Sequence, residues 1–252
     1  MAENRKRTKI VATLGPACGT KEIMENMMES GVNVFRINFS HADYSDVEER
    51  VKIIREINEK SNYNVAVLAD LQGPKLRVGI MAEGVELEEG DTFTFTTEQC
   101  EGTDKKAFMT YQNFPKDVQK GEHILVDDGK LLFEVIATDS ATNVTTKVLR
   151  GGPLKSKKGV NLPNTKISLP ALTEKDKKDV VFAIGLNVDW IALSFVRTPE
   201  DLIQLHDIIK ANTNHKIPII AKIEKPEAVA NIDRLTPHCD ALMVARGDLG
   251  VE

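Results

Sequence analysis

The sequence predicts an α/β chain of repeated strand–helix units, interrupted by an all-β insertion. Near both ends, almost continuous apolar runs such as residues 65–70 alternate with segments of helical periodicity, the pattern of parallel strands covered on both faces. From Lys75 to about Leu169 the helical periodicity disappears. Short β-branched and aromatic runs separated by turn residues replace it, as in a separate β module.

A β-type run at 9–14 stops at Gly15-Pro16, and a helix is expected over 21–30 with Ile23, Met24, Met27 and Met28 on one side. A strand at 32–38 leads to a helix at about 45–60, where Val47, Val51, Ile54 and Ile57 recur at helical spacing, and then to the strand at 65–70. Inside the insertion, strands are expected at 92–97, 123–126, 130–138 and 143–148, and Asp128-Gly129 reads as a hairpin turn because both residues tolerate positive φ. The alternation then resumes with helices at 173–183, 199–211 and 226–232 and strands at 189–195, 217–223 and 240–245, Thr173 serving as an N-cap. Six such strands fit either a doubly wound sheet or a (β/α)8 barrel lacking two strands.

With 252 residues, 41% hydrophobic and 28% charged, the chain can bury a core. The 33 Lys and Arg against 38 Asp and Glu, net charge -5, argue against nucleic acid or an anionic membrane as the main partner. No apolar run approaches the roughly 18 residues needed to span a bilayer, and the N-terminus lacks a signal-peptide core, so a soluble cytoplasmic protein is expected. Cys18, Cys100 and Cys239 show no C-x-x-C spacing, which suggests neither a disulfide framework nor a zinc site.

Strand ends are where a βα barrel keeps its chemistry. Period-two alternation at the end of the second strand puts Arg36, Asn38 and Ser40 on one face, where an arginine can grip phosphate and Asn or Ser oxygens can hold a hard cation. The third strand ends at Asp70. Further on, Lys222 and Glu224 share a face, and Arg246-Gly247-Asp248 follows the last strand. Glu224 and Asp248 together could hold Mg²⁺ with positions left for substrate oxygens, and Lys222 beside them could stabilise a transferring phosphoryl group or an enolate. A glycine at 247 would let backbone amides approach a carboxylate. Lys157-Lys158 could screen nucleotide phosphates. The plainer readings are a polar barrel layer for Arg36, a structural salt bridge for Lys222 and Glu224, and a solvated charge run for 157–158.

The segments 8–17, 35–41, 157–163, 193–197, 221–224 and 245–252, in that order, resemble the pyruvate kinase family along the whole chain. The resemblance implies a (β/α)8 barrel, here at 1–73 and 170–252 with six of eight strands, and an inserted β-barrel lid at 74–169. It implies phosphoryl transfer from phosphoenolpyruvate to ADP, giving pyruvate and ATP. Lys222 matches the lysine that stabilises the phosphoryl group, Arg36 a substrate and nucleotide phosphate contact, and Glu224 and Asp248 the Mg²⁺ ligands. Gly247 and Asp248 match the backbone donors to the substrate carboxylate. Thr13, Asn38, His41 and Lys158 match nucleotide-side positions, and Ser194, Phe195 and Arg77 line the substrate pocket. A homotetramer is implied for the full-length protein.

Family members that require K⁺ carry Asp-Thr-Lys-Gly-Pro-Glu where this chain has Asp70-Leu-Gln-Gly-Pro-Lys75. Lys75 could supply a fixed charge in place of K⁺, so K⁺ is not expected to be required, although Asn38, Ser40 and Asp70 remain as a candidate monovalent-cation site. Asn164 replaces a usual glycine, tolerable in a left-handed conformation. An open six-stranded barrel leaves two edges unpaired, so this polypeptide alone is expected to be inactive or poorly folded. The alternatives are a non-catalytic nucleotide- or phosphate-binding form and a Mg²⁺-dependent lyase of the phosphoenolpyruvate/pyruvate type, the latter disfavoured because a lyase needs no nucleotide lid.

Overall fold

Apolar strands that alternate with amphipathic helices here assemble into one parallel sheet, seen in a computed structural model that describes residues 7–61, 63–163 and 165–251. Asn164 and the side chain of His41, both singled out in the sequence, lie outside the described residues. In chain order, β1 (Val11–Thr13), α1 (Lys21–Glu29), β2 (Val34–Asn38), α2 (Tyr44–Ser61) and β3 (Ala66–Asp70) come first. An almost wholly β segment follows: β4 (Glu86–Leu87), β5 (Thr92–Thr96), β6 (Lys106–Phe108), α3 (Phe114–Asp117), β7 (His123–Val126), β8 (Leu131–Thr138), β9 (Asn143–Arg150), β10 (Gly152–Pro153) and β11 (Val160–Asn161). The chain continues through α4 (Glu174–Gly185), β12 (Trp190–Leu193), α5 (Pro199–Asn212), β13 (Ile219–Ile223), α6 (Pro226–Ala230), α7 (Ile232–Leu235), β14 (Ala241–Val244) and α8 (Arg246–Leu249).

The chain forms two compact units. One comprises Met1–Gly73, Ala171–Ile223 and Asn231–Met243; the other comprises Pro74–Pro170, Glu224–Ala230 and Val244–Glu252. The first is built on a sheet of order β1-β2-β3-β12-β13-β14. Register within it pairs Thr13 with Arg36, Asn38 with Asp70, Asp70 with Ala192, and Leu193 with Ala221, so residues distant in sequence meet at one end of adjacent strands. Helix α2 buries Val47, Val51, Ile54 and Ile57, as its spacing predicts. Helix α1 buries Met24 and Met28, four apart, while Ile23 points outward at 39% exposure, so its apolar face is narrower than expected.

Within 74–170, the strands order as β11-β7-β8-β9-β5-β6 around a separate core in which Phe93, Phe95, Phe114 and Phe133 pack ring against ring. The β7–β8 hairpin closes through Asp127, Asp128 and Gly129, all at positive φ (55°, 56° and 80°), the turn chemistry that Asp-Gly announces. Two departures from expectation have local causes. The helix expected at 226–232 breaks at Asn231, whose side-chain amide donates to the Arg197 carbonyl at 3.0 Å. The four-residue helix α3 starts on Phe114-Pro115, where a proline in the first turn costs no hydrogen bond. No described helix is long and apolar enough to cross a membrane.

Candidate active site

Strand register brings five of the expected residues, Thr13, Arg36, Asp70, Ser194 and Lys222, into one cluster at the ends of β1, β2, β3, β12 and β13. Asp70, 1% exposed, is its centre. Arg36 reaches across from β2 with Nε 2.6 Å and a terminal guanidinium nitrogen 2.5 Å from Asp70 Oδ2, and its other terminal nitrogen donates to the Thr13 hydroxyl at 2.8 Å. Lys222 Nζ lies 3.2 Å from Asp70 Oδ1 and donates to Ser194 Oγ at 2.8 Å. Ser194 in turn donates to the Leu71 carbonyl at 2.6 Å, so its hydroxyl proton is spoken for and its lone pair faces the ammonium. One carboxylate thus holds two cations, one of them on a buried lysine, 8% exposed.

Backbone shape is specialised here as well. Phe195 sits at φ 55°, an uncommon conformation for a bulky residue. Gly73, at φ 68°, packs so closely that a Cβ would come within 2.9 Å of the Phe195 ring and 3.0 Å of Ser194 Cβ. Only glycine fits both the angle and the space.

On β2, Arg36 lies opposite the buried Phe35 and Ile37, and Asn38 is exposed. Alternation stops there, because Phe39–His41 turns into a 3-10 helix capped by Asn38 Oδ1, which accepts the Ser40 amide at 3.0 Å. Ser40 therefore follows the turn instead of extending the strand face. Asp70 Oδ1, fully buried, makes no hydrogen bond of good geometry and faces only the Lys222 ammonium at 3.2 Å among its described neighbours. Spare acceptor capacity on a buried carboxylate suits a cation.

The remaining expected residues belong to the second unit. Glu224 directly follows β13 and is 1% exposed, while Asp248 lies in the first turn of α8 beside the exposed Gly247. Among the described residues no group of three or more His, Cys, Asp or Glu side chains could hold a metal. A pair of carboxylates is nevertheless the donor type Mg²⁺ takes from proteins, the rest being water and substrate oxygen. Within the same unit, Lys158 pairs with Asp127 at 2.8 Å, and that contact, with Lys130, holds the Asp127 carboxyl below the usual range. Arg77 donates to the Lys157 carbonyl at 2.8 Å, and Lys75 is exposed.

The family model for the pyruvate kinase barrel domain matches residues 5–252. The chain belongs to the pyruvate kinase family. Among its relatives, a pyruvate kinase of Corynebacterium glutamicum is 46% identical over 248 residues, 98% of this chain and 52% of that protein. One of Geobacillus stearothermophilus is 44% identical over 250 residues, 98% and 43% of the two chains. The crystal structure of a pyruvate kinase from Cryptosporidium parvum superposes with a TM-score of 0.91 at 36% identity, covering 97% of this chain and 52% of that one. This pyruvate kinase family chain thus spans about half the length of the relatives it matches.

Sequence reasoning missed two features of the site. It found Asp70 and Lys222 separately but not their pairing, which only strand register reveals. It also missed Lys175, Asp176 and Asp179 of α4, which meet Phe39 and Tyr44 after β2 and Gly73 after β3. The signal available for them was Thr173-x-x-Asp176, a capping box at the start of a helix.

Proposed function

We propose that this chain supplies the catalytic core of a pyruvate kinase, transferring the phosphoryl group of phosphoenolpyruvate to ADP. The observation that carries the reading is the buried Lys222 held between Asp70 and Ser194, with Arg36 on the same carboxylate. A β-phosphate oxygen of ADP attacks phosphorus, the bond from phosphorus to the enol oxygen breaks, and the enolate left behind takes a proton at carbon to give pyruvate. Negative charge gathers on the phosphoryl oxygens in flight. Lys222 and Arg36 are fixed point and fork charges for that moment, already oriented by Asp70, so little reorganisation is needed.

From the family motifs we further assign Ser194, Phe195 and Arg77 to the substrate, the Gly247 and Asp248 backbone to its carboxylate, and Thr13, Asn38, His41 and Lys158 to the nucleotide. Glu224 and Asp248 would hold Mg²⁺, which when bound supplies charge neutralisation and a template for substrate oxygens. In this reading the parallel strands are six of the eight of a (β/α)8 barrel, residues 74–169 form its lid, and the full-length protein is a cytoplasmic homotetramer. The test is direct. The full-length protein that carries this chain, given phosphoenolpyruvate, ADP and Mg²⁺, should release pyruvate and ATP in equal amounts, followed by lactate dehydrogenase coupling; no pyruvate formation by it would overturn the reading.

The cation requirement gives a second expected outcome. With Lys75 at the position of an acid in K⁺-requiring relatives, K⁺ titrated at constant ionic strength should activate no more than tetramethylammonium does. Strong K⁺-specific activation would instead assign Asn38, Ser40 and Asp70 to a working monovalent site.

A further inference from the structure

The first turns of α4 carry charged side chains that the proposed chemistry does not use. Asp176 and Asp179 are both 0% exposed, a burial that hydrogen bonds must offset. Their partners lie on two separate loops. Asp176 Oδ1 accepts the amide of Gly73, after β3, at 3.1 Å, while Oδ2 accepts the amide and hydroxyl of Thr173 at 2.9 and 2.5 Å. Lys175 Nζ donates to the Phe39 carbonyl, just beyond β2, at 2.7 Å and to Asp179 Oδ2 at 2.6 Å. Asp179 Oδ1 accepts the Tyr44 hydroxyl at 2.7 Å, and the Tyr44 ring stacks on Phe182 with centroids 4.0 Å apart. Burial, then the hydrogen bond to Asp179, push the Tyr44 hydroxyl up to about 12, so it remains a donor at neutral pH.

Each contact grips a loop at a site-bearing strand end. Lys175 and Asp179 hold the two ends of segment 39–44, which contains Ser40 and follows Asn38. Asp176 holds Gly73, three residues after Asp70 and packed on Ser194 and Phe195. We propose that the N-terminal half of α4 is a positioning platform: Lys175 and Asp179 set the loop after β2, Asp176 sets the loop after β3, and one rigid helix thereby fixes their separation. As a role in phosphoryl transfer, this rests on the pyruvate kinase reading.

The energetics separate positioning from bulk stability. The Lys175 side chain is 46% exposed, so its ion pair adds little to folding. Removing the lysine alone would strand a buried carboxylate, so the test variant removes both charges, Lys175→Met with Asp179→Asn. In the purified full-length protein that carries this chain, hydrogen exchange at 39–44 should accelerate by about tenfold or more, with 71–74, still tied by Asp176, unchanged. With phosphoenolpyruvate as the varied substrate, kcat/KM should fall by about tenfold to a hundredfold, while the thermal midpoint falls by less than about 4 °C. Lys175→Arg, which keeps a charged donor, should recover most of both effects.

Unchanged exchange at 39–44 would overturn the proposal. So would accelerated exchange with an unaltered kcat/KM, which would leave the contacts with a structural role only. Should the unsubstituted full-length protein make no pyruvate, the functional reading falls while the exchange experiment still decides the clamp.

Discussion

Replacing Lys222 by methionine is expected to reduce phosphoryl transfer by about 10³-fold or more, the scale of losing a preorganised cation at a transferring phosphoryl group. Methionine is close in length and apolar, so it fills the slot, 8% exposed, without overpacking it. The loss should fall mainly on kcat, with KM for phosphoenolpyruvate changing far less, because charge on the phosphoryl oxygens is greatest in the transition state. Folding should suffer less than catalysis, since Asp70 keeps both contacts from Arg36 at 2.5 and 2.6 Å. Lys222→Arg is not a rescue: a planar fork cannot take the place of one ammonium held between Asp70 Oδ1 and Ser194 Oγ. Steady-state kinetics of the full-length protein, with a denaturation curve for each variant, checks this. A kcat within tenfold of the unsubstituted protein in Lys222→Met would remove Lys222 from the chemistry.

The same cluster shows what sequence can and cannot announce. Period-two alternation was enough to put Arg36 opposite Phe35 and Ile37, because both faces of β2 are decided by local backbone geometry. It failed at Ser40, where Asn38 caps a turn and ends the strand. Asp70 and Lys222 are separated by more than 150 positions in the chain, and nothing local to either residue states that their strands share one sheet. The two-residue strands β4, β10 and β11 were invisible for the same reason: each exists only through its partner. The Asp127–Gly129 hairpin, by contrast, was legible because its constraint is the φ of its own residues. Lys175, Asp176 and Asp179 look like the charged face of an ordinary amphipathic helix, and only the loops that meet them reveal two of them as buried.

Asp70→Ala is expected to be the most destabilising single change in this cluster, at about 3–5 kcal/mol, because it removes the buried carboxylate that both cations face. Arg36 and Lys222 side chains are 24% and 11% exposed, so water can screen neither fully. Asp70→Asn should cost less, since an amide oxygen can still accept from one of them, but it too removes the negative charge that orients both. The double variant Asp70→Ala with Lys222→Met tests the origin of the cost. If uncompensated charge dominates, it should be more stable than Asp70→Ala alone, a coupling of about 1–3 kcal/mol that independent sites would not show. Additive losses in urea unfolding would mean that Asp70 stabilises the strand ends by packing and backbone effects, and the idea of one carboxylate organising both cations would fall with that result.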